Sequence, residues 1–186
     1  MSSLDPEQIN ALLAKAGRDS VVYLVGAGGC GVSGLAHLLI DAGFRVHGSD
    51  AVENEEIRQL RVRGAVIHIG HAASQLRAAN PVLVVYSPAV RVENPELQAA
   101  KELKLPIIRR AVLLAAFVNR QRGICVAGMH GKTTTSALLA YGLEKLGATP
   151  SYAIGALVPQ LPVHARLSSA EGSGTAAGTA PSLRLP

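Results

Sequence analysis

Val21-Val22-Tyr23-Leu24-Val25-Gly26-Ala27-Gly28-Gly29-Cys30-Gly31 joins an unbroken apolar run to a turn with four glycines in six positions. The apolar run has the length of a strand buried on both faces, and a helical pattern from Val32 to Ala42, closed by Gly43, follows the turn directly. A second strand, Arg45 to Gly48, ends at Ser49-Asp50, so an acidic side chain stands at a strand end 22 residues after Gly28. Strand, G-x-G-x-x-G turn, helix, strand and acid in that order are the setting in which main-chain amides approach a phosphate and a carboxylate reaches a ribose. A helix cap for the Glu53 to Arg63 segment is the structural alternative for Asp50.

The alternation continues outward from there. Ala65 to Ile69 reads as strand, Ser74 to Ala79 as a short helix and Val82 to Tyr86 as a buried strand that Pro88 stops. Asn94-Pro95-Glu96 is a helix start with Asn94 as cap, and that helix runs to Lys104; Ile107-Ile108 is a short strand before Arg109-Arg110. Upstream, Pro6 to Ala16 is a leader helix with Asp5 as N-cap. The pattern predicts an α/β fold with a Rossmann-like parallel sheet and flanking helices over 21–118, after a leader segment at 1–20.

A second glycine loop lies at Gly128-Met129-His130-Gly131-Lys132-Thr133-Thr134. Ile124 to Ala127 before it reads as a buried strand, and Ala137 to Leu146 after it places Leu138, Leu139, Leu143 and Leu146 at helical spacing. Such a loop can turn backbone N–H groups toward phosphate oxygens, extend Lys132 to terminal phosphates and offer the Thr133 hydroxyl to a magnesium ion. Against the general pattern G-x-x-x-x-G-K-[ST], Val126 stands where the first glycine is expected. Residues 119–167 are therefore read as the start of an incomplete P-loop α/β domain, with Ser151 to Ile154 as one more strand. After Lys132 there is no Asp, and the only Glu residues are Glu144 and Glu171. The acidic side chains that phosphoryl transfer requires are missing from this stretch.

Composition narrows the classes. Aromatic residues make up 3% of the chain, too few to interleave the scattered Lys and Arg behind a net charge of +5, so nucleic acid is not an expected partner. The longest apolar run, Ala111 to Val118, is too short to span a membrane, and no membrane insertion is expected. Met1 to Ser20 lacks the apolar core of a signal peptide, and Cys30 and Cys125 have no disulfide or C-x-x-C spacing, which points to free thiols and a cytoplasmic setting. The six histidines are scattered, His164 among them, and zinc is not expected. Of the 19 residues from Ser168 to Pro186, 15 are Ser, Ala, Gly, Thr or Pro, a composition that cannot bury enough surface to order itself.

With both glycine loops placed, the chain resembles the Mur ligases of peptidoglycan synthesis. The resemblance is carried by Gly26 to Gly34, Gly48-Ser49-Asp50, Ile69-Gly70-His71, Ser87-Pro88-Ala89-Val90, Asn94-Pro95-Glu96-Leu97, Arg109-Arg110-Ala111 and Gly128 to Thr134, and it runs from about Val21 to about Leu167. Met129 departs from the Thr usual in the family loop. The resemblance implies an ATP-dependent ligase that joins L-alanine to UDP-N-acetylmuramate through an acyl phosphate, with ATP and Mg2+ as cofactors. It also implies that Gly28, Gly29, Gly31, Asp50, His71, Ser87, Ala89 and Arg109 face the sugar nucleotide. Gly128, Met129, His130, Gly131, Lys132, Thr133 and Thr134 would bind ATP, with Lys132 catalytic and Thr133 on the metal. The family's acidic central segment and its C-terminal domain have no counterpart here, and His164-Ala165-Arg166-Leu167 is the last familiar stretch, so a truncated or frameshifted form, inactive alone, is expected. Alternatives are a non-catalytic nucleotide-binding remnant, the ligase that attaches a tripeptide to the same sugar nucleotide, and an NAD-dependent oxidoreductase.

Overall fold

A computed structural model of the chain describes residues 4–168. The low-complexity stretch from Ser169 onward lies outside the described residues. Helix α1 (Pro6–Ala16) opens on a capping box, in which the Asp5 side chain accepts from the Gln8 N–H and the Gln8 side chain accepts from the Asp5 N–H. Strand β1 (Val21–Val25), helix α2 (Cys30–Asp41) and strand β2 (Arg45–Asp50) follow. The expected helix starts two residues earlier than its apolar pattern and the expected strand runs two residues longer, so Asp50 is itself paired, opposite Ile69. Helix α3 (Glu55–Val62) is capped by Asn54, whose side chain accepts from the Ile57 N–H; Asp50 is therefore not its cap.

Strand β3 (Val66–Ile69), helix α4 (Ala73–Ala79) and strand β4 (Leu83–Tyr86) continue the alternation, then helix α5 (Pro95–Glu102) and strand β5 (Ile107–Arg109). All five strands are parallel in the order β3-β2-β1-β4-β5. Successive side chains of a strand point to opposite faces. Val22 and Leu24 thus enter one core with α1, α2, α3 and helix α6 (Arg110–Val118), while Tyr23 and Val25 enter another with α4 and α5. Both faces are covered, which is why β1 reads as an unbroken apolar run. The Ala111 to Val118 run, notable in sequence only for its length, is the body of α6 and buries Leu113, Ala116 and Phe117.

The second glycine loop is built differently. Ile124 to Ala127 is expected as a buried strand, but these residues are irregular, with Val126 half-buried and the others exposed, Ile124 at 77%. A parallel strand satisfies its peptide groups only against neighbouring strands, and among the described residues no strand pairs with this segment. Helix α7 (Lys132–Lys145) then buries Ala140, and Ala137 and Tyr141 pack with it against Ile154, Leu161 and Val158. The leucines at positions 138, 139, 143 and 146, whose spacing marked the helix, are exposed. Strand β6 (Tyr152–Ala153) pairs antiparallel with strand β7 (Ala165–Arg166), a shorter element than the expected Ser151 to Ile154.

β7 and its neighbours return to the first sheet's outer layer. Ala165 is fully buried in the main core, and the Leu167 N–H donates to Asp41 at 2.8 Å. Asp41 also accepts from Arg63 at 2.5 Å, and the same guanidinium donates to His37 Nδ1 at 2.7 Å. Burial, then the positive charge of Arg63, pushes the His37 imidazole down to about 4. The unfolded imidazole protonates near 6.5. The unfolded chain therefore binds the extra proton first, and this contribution to stability is complete above about pH 6.5 and is lost as pH falls toward 4. Urea unfolding at a series of pH values should show wild-type protein losing up to about 3 kcal/mol more across that window than His37→Gln. Parallel pH curves for the two proteins would contradict the assignment.

Candidate functional site

An open cleft of about 670 Å³ lies at the carboxyl edge of the sheet. Chain order reverses between β1 and β4, which are adjacent, so the segments that follow them diverge and leave a crevice there. Gly28 and Gly29 after β1, Asp50 at the end of β2, His71 after β3, and Ser87 and Ala89 after β4 all line it.

The first glycine turn is clasped from one side. Asp50 accepts from the Gly28 N–H at 2.8 Å, and Asn54 donates to the Gly28 carbonyl at 2.9 Å. A Cβ on Gly28 would stand 2.9 Å from the Asn54 amide nitrogen and 3.1 Å from the Asp50 carboxylate, so only glycine lets the clasp close. The Asp50 charge thus occupies the amide that a dinucleotide pyrophosphate would otherwise approach. Further along, the N–H groups of Cys30 and Gly31 open α2 without an acceptor among the described residues. The Arg110 guanidinium lies against Gly31, where an added Cβ would meet Nη1 at 2.5 Å. A cation beside the positive end of a helix dipole is an arrangement suited to an anion. The Cys30 thiol at the same turn is pushed up by burial and by Glu56, with Arg110 opposing.

Beneath the cleft, Glu96 is fully buried on α5. The Tyr23 hydroxyl donates to its Oε1 at 2.7 Å and the Ser49 hydroxyl to its Oε2 at 2.5 Å. His71 Nδ1 lies 3.1 Å from the same Oε2 and 2.8 Å from Ser49 Oγ. A carboxylate only accepts, so the geometry assigns the proton to Nδ1 and leaves His71 Nε2 to meet a ligand. Burial, reinforced by Glu96, holds the Tyr23 phenol well above its ordinary range, so it remains a donor.

The structure gathers six of the sequence-named residues, Gly28, Gly29, Asp50, His71, Ser87 and Ala89, around one cleft. It does not bring the others there. Gly31 lies a turn along, under Arg110, and Arg109 ends β5 with its Nε 3.3 Å from the Tyr86 hydroxyl. Gly128 to Thr134 are exposed and line no part of the cleft. Gly131 caps α7 at φ 76°, and the Lys132 ammonium folds back onto the carbonyls of Gly128 and Met129 at 2.5 and 3.0 Å. The N–H groups of Lys132, Thr133 and Thr134 open the helix without acceptors among the described residues, which fits a polyphosphate. A magnesium seat fits less well. Between Ile124 and Ser168 the one carboxylate is Glu144, and it pairs with Arg166 at 2.6 Å. Asn54, Arg91 and Glu93 in the lining, and Glu96 beneath it, are residues to which sequence reasoning gave no role at the cleft. Asn54 has the side chain of a helix cap and gives no further signal, and Glu96 reads as an ordinary acid in a first helical turn.

Sheet order, switch-point cleft and glycine turn define a Rossmann-like α/β domain. The chain belongs to the Mur ligase family: the family description "Mur ligase family, catalytic domain" matches residues 21–122, more than half of its length. It is similar to the UDP-N-acetylmuramate–L-alanine ligase of Nitrosomonas europaea, 42% identical over 81% of this chain and 31% of that protein. To the enzyme of the same name from Streptomyces griseus it is 50% identical, over 72% of this chain and 28% of that protein. The chain thus spans about a third of the length of these relatives. Among solved structures, UDP-N-acetylmuramate-alanine ligase from Thermotoga maritima superposes with a TM-score of 0.73 at 32% identity, over 78% of this chain and 34% of that one. The UDP-N-acetylmuramate:L-alanyl-gamma-D-glutamyl-meso-diaminopimelate ligase from Neisseria meningitides gives 0.75 at 32%, over 81% and 47%. Among the described residues no helix is long and apolar enough to cross a membrane.

The Glu96 network gives a direct test of how the cleft floor is held. Tyr23→Phe leaves Oε1 without a donor in a site with no water access, and should cost about 1–3 kcal/mol in urea unfolding. A change within about 0.5 kcal/mol would mean that the hydroxyl contributes little.

Proposed function

We propose that this chain carries the sugar-nucleotide seat, within 21–118, and the opening ATP loop, within 119–167, of a ligase that joins L-alanine to UDP-N-acetylmuramate. The observation that supports the reading is the turn between β1 and α2: Gly28 and Gly29 line the open cleft, and the next two N–H groups, those of Cys30 and Gly31, have no acceptor among the described residues, with Arg110 against Gly31. The diphosphate would rest on the Cys30 and Gly31 N–H groups with Gly29 beside it, and Arg110 would offset its charge. His71, Ser87 and Asp50 would hydrogen-bond the sugar and base portions, Ala89 would leave them room, and Arg109 would guard the rim at Tyr86.

In the reaction so read, a carboxylate oxygen of the muramate attacks the γ-phosphorus of ATP, ADP leaves, and an acyl phosphate forms. The alanine amine then attacks the acyl carbon, an amide bond forms, and inorganic phosphate departs with loss of a proton from nitrogen. Lys132 would leave its loop carbonyls to meet the triphosphate, and the amides of residues 128–134 would cradle it, so alignment and charge compensation dominate. Thr133 would supply one oxygen to magnesium, whose other ligands would come from triphosphate, water or groups beyond this chain. The curated relatives favour alanine as the acceptor, while the Neisseria structure keeps the tripeptide-adding reaction as the second reading. An oxidoreductase is disfavoured because NAD leaves the second loop without a purpose.

Calorimetric titration of the chain with UDP-N-acetylmuramate, NADH and Mg-ATP discriminates these. Saturable binding of the sugar nucleotide, weakened at least about tenfold by Arg110→Ala and absent for NADH, is expected. Preferential NADH binding would overturn the assignment, and sugar-nucleotide binding with no affinity for Mg-ATP would favour a binding remnant.

A further inference from the structure

Cys30, Glu56 and His164 are far apart in sequence and take no part in lining the cleft. In the fold, Cys30 opens α2, Glu56 lies in the first turn of α3 and His164 precedes β7, and their sulfur, oxygen and nitrogen ligand atoms all lie within 4.8 Å of one another. His164, isolated in the sequence, is fully buried.

The hydrogen bonds of His164 set its tautomer. Nε2 lies 3.1 Å from the Cys30 carbonyl oxygen, which can only accept, and 3.2 Å from Ser33 Oγ. Nε2 therefore carries the proton, and Nδ1 presents a lone pair. That lone pair faces Glu56 Oε2 at 3.6 Å, and neither atom has a hydrogen-bond partner. Two desolvated acceptors facing each other are unfavourable unless a positive charge sits between them. A proton on the imidazole would serve, but it gives the third group, the Cys30 sulfur, nothing to do. A divalent cation uses all three.

We propose that Cys30, Glu56 and His164 form a binding site for a borderline divalent metal ion of the zinc type, which fastens the β7 segment to α2 and α3. Sulfur, imidazole nitrogen and carboxylate oxygen are a donor set that zinc accepts, and thiolate plus carboxylate neutralise the dication. The thiol proton departs to solvent when the metal–sulfur bond forms. The bond from Nε2–H to a backbone carbonyl is the outer support that ligating histidines ordinarily have. A cavity of about 260 Å³ lined in part by Gln59 and His164 adjoins the cluster on its His164 side. Arg110, which lies against Gly31, opposes a cation, and the two anionic ligands offset it. The inference is independent of the substrate reading above.

The test uses the whole chain, stripped with a chelator and titrated with cobalt(II) as a coloured substitute for zinc. One equivalent should bind with a thiolate-to-cobalt charge-transfer band that zinc displaces, and zinc should raise Tm. Cys30→Ser should abolish the band and weaken zinc binding at least about tenfold, while Cys125→Ser, which alters the exposed second thiol, should leave both unchanged. Should His164→Ala fail to fold, Glu56→Gln gives the same comparison, with far-UV circular dichroism confirming its fold. Absence of a thiolate band, a band lost with Cys125 but not with Cys30, or a Tm indifferent to zinc would each overturn the proposal.

Discussion

A carboxylate removed from water must have its oxygens hydrogen-bonded or the fold loses several kcal/mol, and Glu96 meets that demand with Tyr23, Ser49 and His71. These donors come from β1, β2 and the segment after β3, while the acceptor stands on α5. Four pieces of chain must therefore meet at one point. That meeting lies just below the carboxyl edge of the sheet, so the requirement that keeps Glu96 satisfied also fixes the floor on which the cleft is built.

The two glycine loops show how much of a phosphate cradle comes from its surroundings. Both open helices with amides that have no acceptor among the described residues, and both have the composition of such turns. The first issues from a strand hydrogen-bonded on both sides, is clasped by Asp50 and Asn54, and is held in a single geometry. The second issues from an exposed irregular segment, and its lysine bonds to the loop itself. Similar local chemistry thus yields a built site in one place and an unsupported one in the other.

What the sequence made legible follows the same division. The order of elements from β1 to β5 and the caps at Asp5 and Asn94 could be read from periodicity and turn residues, because they are set locally or by the parallel alternation, whereas the grouping of His71 and Ser87 with Gly28 and Asp50 came from the family resemblance. The Ile124 to Ala127 segment was misread, since its apolar residues specify a strand only where partners exist. The leucines of α7 led correctly to a helix, but helical spacing shows that a face is apolar, not which neighbour will cover it. Helix α6 drew no assignment because a short, uniformly apolar run has no period to distinguish it. Glu96 and His164 were invisible as partners, since their significance depends on contacts spanning 73 and 131 residues, to Tyr23 and Ser33.

The outward leucines of α7 bear on how this chain comes apart. Its small cluster, centred on Ala140, Ile154 and Leu161, shares no buried residue with the large core around the parallel sheet. Cooperativity extends as far as shared burial extends. Loss of α7 therefore need not await loss of the sheet, and denaturation of the chain is better described as two events, the smaller one first, than as a single transition with one free energy.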